Sequence, residues 1–129
     1  MNRPSTIYVA GPMRGYPLWN YPAFDHCSDV LRKQGWEVVN PAELDRDAER
    51  LAPVSMVSTS QINYADDEFM RKALRRDMIA ICDHCTAIYM MSNWERSKGA
   101  RAELAIAKAI GLDVYFEGDS LPTPTDEPC

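Results

Sequence analysis

Four short runs of residues constrain this chain more than any other feature: Thr6–Ala10 (TIYVA), Trp36–Asn40 (WEVVN), Thr86–Met91 (TAIYMM) and Leu112–Phe116 (LDVYF). Each is nearly continuous in apolar or β-branched residues. A strand with one wet face alternates polar and apolar residues, whereas a strand covered on both faces reads as these runs do. Helical patterns lie between them. The first has Pro22 near its start, Phe24, Cys27 and Leu31 at helical spacing, and Gly35 as its stop. The second covers about residues 66–82, and the third is SKGARAELAIAKAIG, residues 97–111. The order βαβαβαβ predicts a three-layer α/β domain of the flavodoxin or Rossmann kind. Its parallel sheet of four to five strands is expected in the order 2-1-3-4(-5).

The domain is expected to span residues 1–118, a length that buries a core without metal or disulfide staples. Residues 41–64 fit no strong period. They begin with a short helix at most, break at Pro53 and continue through serines, a threonine and an asparagine, which predicts a long surface excursion. Beyond Phe116 the chain reads EGDSLPTPTDEPC, proline-rich and acidic. Residues 119–129 are therefore expected to be an extended or disordered tail unless a partner subunit holds them.

Charge and composition remove several classes of function. A net charge of −5 argues against a nucleic-acid polymer as partner, since such binding rests on a basic surface, but it leaves room for a small anion in a local pocket. No apolar run approaches the roughly 20 residues of a membrane span, and MNRPSTIYVAG lacks the apolar core of a secretory signal. No membrane contact and a cytoplasmic location are the expectation. Cys82-Asp83-His84-Cys85 resembles half a metal site, but no second ligand pair at matching spacing follows it. It reads as a helix end, and neither metal nor cofactor is expected.

In an open parallel sheet with this strand order, ligands settle at the carboxyl ends of the first and third strands. The two loops there are Gly11-Pro12-Met13-Arg14-Gly15-Tyr16 and Ser92-Asn93-Trp94-Glu95-Arg96-Ser97-Lys98-Gly99. Gly11 and Gly15 permit a tight turn or close backbone approach, and Arg14 offers a forked cation. Ser97 and Gly99 stand at a helix N-terminus, where amide groups and the helix dipole favour an anion. Arg96 and Arg101 are further cationic candidates. Tyr16-Pro17-Leu18-Trp19-Asn20-Tyr21 offers Trp19 for stacking on a base and Asn20 for reading its edge, with Trp94 in the opposite loop. The same aromatic cluster would equally serve as a hydrophobic staple or a subunit contact.

Two acids break the apolar pattern. On the third helix, Glu103 falls three or four positions from Gly99, Ala100, Ile106 and Ala107, and seven from Ile110. On the second, Asp77 is similarly placed with respect to Ala73, Leu74 and Ile81, and seven from Met70. Both carboxylates point to the sheet side of their helices. An inward acid is either partnered by an arginine or backbone amides, or it is retained for chemistry.

Three segments resemble the nucleoside 2-deoxyribosyltransferase-like superfamily, which includes the 2'-deoxynucleoside 5'-monophosphate N-glycosidases. Ile7-Tyr8-Val9-Ala10-Gly11-Pro12 is similar to its first strand and turn. Arg76-Asp77-Met78 with Cys82-Asp83 is similar to its acid-bearing helix. Ser97-x-Gly99-x-x-x-Glu103-x-x-x-Ala107 matches its nucleophile motif. The resemblance implies a nucleotide-binding domain in which Glu103 attacks the anomeric carbon to form a covalent glycosyl ester, a role suited to an oxocarbenium-like transition state. It further implies that Asp77 serves the leaving base and that Tyr8 lies beside the glutamate.

Six residues before the nucleophile, transferases of that superfamily tend to carry an aspartate for the sugar 5'-hydroxyl and the monophosphate glycosidases a serine. Ser97 therefore points to a nucleotide, with Gly99, Arg14 and Gly11 completing the phosphate site. The expected activity is hydrolysis of the N-glycosidic bond of a (2'-deoxy)nucleoside 5'-monophosphate. Deoxyribosyl transfer between bases is the second reading, and a non-catalytic nucleotide-sensing module the third. The resemblance also implies at least a homodimer.

Overall fold

The computed structural model describes residues 5–51 and 67–124. Eight main elements follow in order: β1 (Thr6–Ala10), α1 (Tyr21–Lys33), β2 (Glu37–Val39), α2 (Pro41–Leu51), α3 (Asp67–His84), β3 (Ala87–Met90), α4 (Lys98–Ala109) and β4 (Asp113–Phe116). Short 3-10 turns at Pro17–Asn20 and Trp94–Arg96 precede α1 and α4. The strands form one four-stranded sheet in the order β2-β1-β3-β4. All pairings are parallel, with Ile7 opposite Val38 on one side and Ala87 on the other, and Ala87 opposite Asp113. This is the three-layer α/β fold the alternating runs predict, with four strands among the described residues.

Because side chains alternate along a strand, each apolar run feeds two cores. Ile7, Val9, Ala87 and Tyr89 pack with Phe24, Leu31, Trp36 and Ala42 on the α1 and α2 side. Tyr8, Ala10, Ile88 and Met90 pack with Ile81, Ala100, Leu104 and Ala107 on the α3 and α4 side. Phe24 and Leu31 are fully buried, and each contributes roughly 1.5–3 kcal/mol. The same parity puts Tyr8 under the two helices that carry the inward acids.

Three expectations change. Residues 41–51 form α2, a helix of about three turns where a short one at most is expected to open the excursion; residues 52–64 of that excursion lie outside the described residues. The helix has a start signal in the sequence. Asn40 accepts from the Ala42 amide at 2.9 Å, Pro41 occupies the first helical position, and Glu43 falls three residues after the cap. Asn40 thus ends the second run as a cap, and the strand is confined to Glu37–Val39.

Ile110 leaves the buried stripe of α4, which consists of Ala100, Glu103, Leu104 and Ala107. It is the C-cap and 46% exposed; Gly111 then turns the chain at φ +82°, and the Leu112 amide closes onto the Ala107 carbonyl.

Of the expected tail, residues 125–129 lie outside the described residues, and the part described returns to the body. Residues 120–124 have no regular structure, yet Pro122 is buried and the Trp36 indole donates to its carbonyl at 3.0 Å. Trp36 needs a partner for its N–H once buried, and the returning chain supplies it.

Candidate active site

A cavity of about 730 Å³ opens at the carboxyl ends of β1 and β3, bounded by the loop after β1, the first turns of α2 and α4, and the middle of α3. Its floor holds the acids and its rim the cations.

On one side of the rim the chain leaves β1 through Gly11 and turns at Met13–Tyr16, where the Tyr16 amide donates to the Met13 carbonyl and Gly15 takes φ +86°. Gly11 is required by packing: a Cβ there would lie 2.9 Å from the Met91 side chain. Asn20 braces this loop, donating from Nδ2 to the Pro12 carbonyl at 2.9 Å. Leu18, Trp19 and Asn20 adopt left-handed φ values of 53°, 55° and 61°, a costly conformation for non-glycine residues. The loop is thereby held against the sheet edge, with Arg14 on the cavity wall.

On the other side, the 3-10 turn Trp94–Arg96 delivers the chain to Ser97, which caps α4 by accepting from the Ala100 amide at 3.1 Å. Capping occupies a lone pair and leaves the hydroxyl proton for donation. The Lys98 and Gly99 amides have no intrahelical acceptor in helix geometry, so this end carries partial positive charge. Arg14, Arg96, Ser97, Lys98 and Gly99 all line the cavity, which gives one wall the chemistry of an anion site.

The floor is built by register and helix phase. The Tyr8 hydroxyl, fully buried, donates to Glu103 Oε2 at 2.6 Å. Asp77 from α3 lines the same floor, near enough for its charge to bear on the glutamate carboxyl. Arg76 donates to Asp77 Oδ1 from Nε at 3.0 Å and from Nη2 at 2.8 Å, and Nη2 also reaches Asp45 Oδ1 of α2 at 2.8 Å. Asp45, Asp77 and Glu103 are 4%, 7% and 6% exposed, so three acids lie in a nearly dry site, and one guanidinium is bonded to two of them, Asp45 and Asp77.

Burial pushes the Glu103 carboxyl well above the usual glutamate range, the charge of Asp77 adds to the rise, and the Tyr8 hydrogen bond opposes it. Asp77 is raised to about 6, chiefly by burial, with Arg76 pulling the other way and Asp45 pushing it up. The Tyr8 phenol is raised in turn by its burial and by Glu103. Two buried carboxyls this close influence each other's titration, and both are held above their ordinary ranges.

The sequence-predicted residues divide clearly. Glu103, Asp77, Ser97, Gly99, Arg14, Gly11 and Arg96 line the cavity, and Tyr8 supports Glu103 from beneath. Trp19, Asn20, Trp94 and Arg101 are not part of its wall. Asn20 is committed to the loop it braces, and Trp94 packs on Phe116 with centroids 6.0 Å apart. Flat apolar surface is supplied instead by Met13, Tyr16, Phe24, Pro41, Met70 and Leu74. Sequence reasoning also missed Asp45, Arg76 in its holding role, and Lys98. Met70 and Leu74 were legible as helix neighbours of Asp77; Asp45 was hidden because α2 had not been recognised.

Among the described residues no three His, Cys, Asp or Glu side chains are grouped to hold a metal ion, and no helix is long and apolar enough to cross a membrane. Cys82 and His84 are exposed in the last turn of α3, and Cys85 is buried beyond it. A family model described as a domain of unknown function, DUF4406, matches residues 5–116, which include every residue of the site named above. No curated protein matches the chain.

Proposed function

The chain belongs to the DUF4406 family, and from the chemistry of its cavity we propose that it hydrolyses the N-glycosidic bond of a (2'-deoxy)nucleoside 5'-monophosphate. The observation that carries this reading is the hydrogen bond of the Tyr8 hydroxyl to Glu103, with Asp77 on the same floor of a cavity with a cationic wall. It fits the resemblance to the nucleoside 2-deoxyribosyltransferase-like superfamily and favours the N-glycosidase branch.

In the proposed reaction the 5'-phosphate sits against Ser97, the first amides of α4 and Arg14, Arg96 and Lys98, and the base lies on the apolar side between Phe24, Met70 and Leu74. An ionised Glu103 oxygen bonds to C1' as the C1'–N bond breaks. The bonding pair leaves with the base, which takes the proton of Asp77. A water then attacks C1', its proton passes to the Asp77 carboxylate, and the ester to Glu103 breaks, releasing the sugar 5-phosphate and restoring the pair. Burial raises both carboxyls, so the site holds a proton that the reaction needs on Asp77; the Tyr8 hydrogen bond opposes protonation of Glu103, while Arg76 opposes that of Asp77.

Deoxyribosyl transfer would use the same first half, with a second base in place of water. Ser97 favours the phosphate-bearing substrate, because an aspartate at this helix terminus would repel it. Two buried acids facing an anion site are a burden for a pure nucleotide sensor, which has no use for them. Incubation with a panel of nucleoside monophosphates and nucleosides, with and without a second free base, tests the reading. Free base and sugar phosphate from monophosphates alone are expected. Exchanged nucleoside would establish transfer, and intact substrates throughout would defeat both enzymatic readings. A homodimer or larger homo-oligomer forms part of the same proposal, and sedimentation showing a monomer at micromolar concentration would overturn it.

A further inference from the structure

Asp45 was not expected at this site, yet α2 places it on the cavity wall with its side chain only 3% exposed. Its Oδ1 and the Oδ1 of Asp77 accept from the same nitrogen, Arg76 Nη2, each at 2.8 Å. We propose that Asp45 is a positioning residue that acts through Arg76: by engaging one end of the guanidinium it keeps Arg76 from closing on Asp77 alone, and so directs the proton of the acid pair toward Asp77. The inference rests on the N-glycosidase reading for its kinetic consequence but not for its electrostatic one.

The physical cause is the division of one cation between two anions. Guanidinium presents a planar fork that matches a single carboxylate with two parallel hydrogen bonds. Arg76 instead directs both Nε and Nη2 at one oxygen of Asp77 and extends Nη2 to Asp45. A cation wholly committed to Asp77 would hold it ionised and keep the proton on Glu103, where it blocks a nucleophile. The described groups that bear on this balance come from every neighbouring element: Arg76 and Asp77 from α3, Glu103 from α4, Tyr8 from β1, Tyr21 of α1 at 3.5 Å from Asp45 Oδ2, and Arg46 of α2 stacked over Tyr21. Replacing Asp45 by a neutral side chain removes its repulsion on Asp77 and releases Arg76 toward it. Both changes have the same sign.

Carboxyl 13C titration of the whole chain, following the Asp77 signal, measures that balance directly. Asp45→Asn is expected to lower the Asp77 midpoint by about one unit, which leaves about tenfold less protonated Asp77 at neutral pH. Asp45→Glu restores the charge and is expected to return the midpoint toward the wild-type value. Arg76→Gln takes the cation away and is expected to move it upward. In turnover of a nucleoside monophosphate, Asp45→Asn should then lose about tenfold in kcat at neutral pH, with KM within about twofold and the optimum displaced to lower pH.

An Asp77 midpoint unmoved or raised in folded Asp45→Asn overturns the inference, as does a midpoint lowered or unmoved in Arg76→Gln. Should Asp45→Asn not fold, Asp45→Ser, equally neutral and smaller, is read in the same way. If the wild type releases no base while the two midpoints move as expected, the proposed function fails and the charge division stands. A merely structural Asp45 would lower the melting temperature of Asp45→Asn without moving its Asp77 midpoint.

Discussion

Glu103→Gln replaces the proposed nucleophile by a group of the same shape that cannot titrate. The amide oxygen can still accept from Tyr8, and the amide N–H can donate to Asp77, so no buried polar atom is stranded. The gain follows from proton linkage. In the unfolded chain Glu103 ionises near its ordinary value of 4.5, whereas in the folded protein burial and Asp77 hold its proton well above that value. The raised group stabilises the fold fully below pH 4.5, and the contribution is lost as pH rises through the folded value.

Within that window the wild type loses about 1.4 kcal/mol per pH unit through Glu103. Asp77, raised from 3.8 to about 6, contributes a loss of the same sign that reaches about 3 kcal/mol above pH 6. Urea unfolding followed through Trp fluorescence, from about pH 5 to pH 8, should show the variant increasingly more stable than the wild type as pH rises. Base release should be abolished at every pH. Parallel stability profiles for the two proteins would refute the buried, proton-holding Glu103. So would a variant destabilised by about 3–5 kcal/mol, the cost of breaking a buried ion pair. Base release by Glu103→Gln would remove the nucleophile outright.

Other expected outcomes are more local. Ser97→Asp puts a negative charge at the N-terminus of α4 and should depress turnover of monophosphates far more than of nucleosides; equal losses would argue against a phosphate at that wall. Tyr8→Phe removes the 2.6 Å hydrogen bond to Glu103, about 1.5–3 kcal/mol of support for the ionised carboxylate. Its kcat/KM should fall by about one to two orders of magnitude, and an unchanged value would mean that Tyr8 serves packing alone. Trp36→Phe strands the Pro122 carbonyl and should cost about 1–3 kcal/mol, together with faster proteolysis after Gly118; an unaltered melting curve would show that the returning segment contributes nothing.

By itself the sequence determined the sheet and the central acid. Four apolar runs separated by helix-length spacers leave few solutions other than a parallel sheet covered on both faces, and period alone turned Glu103 and Asp77 inward. The parity of β1, which sends Tyr8 to the face opposite Ile7 and Val9, was equally implicit. What period cannot express is which inward groups from different elements meet. Whether Asp45 reaches Arg76, or Trp36 the Pro122 carbonyl, depends on distances across 31 and 86 residues of chain. Such pairings exist only once the layers close. The aromatic cluster at residues 16–21 looked composed for a base, yet the left-handed turn at Leu18–Asn20 commits Asn20 to its own loop. Tyr16 of that cluster lines the cavity, and Phe24, Met70 and Leu74, ordinary core residues by sequence, supply more of the apolar wall. Local pattern specifies which face of an element is buried, because that is decided by helix and strand geometry; the division of one guanidinium between neighbouring acids is decided by where α2, from one side of the sheet, meets α3, from the other.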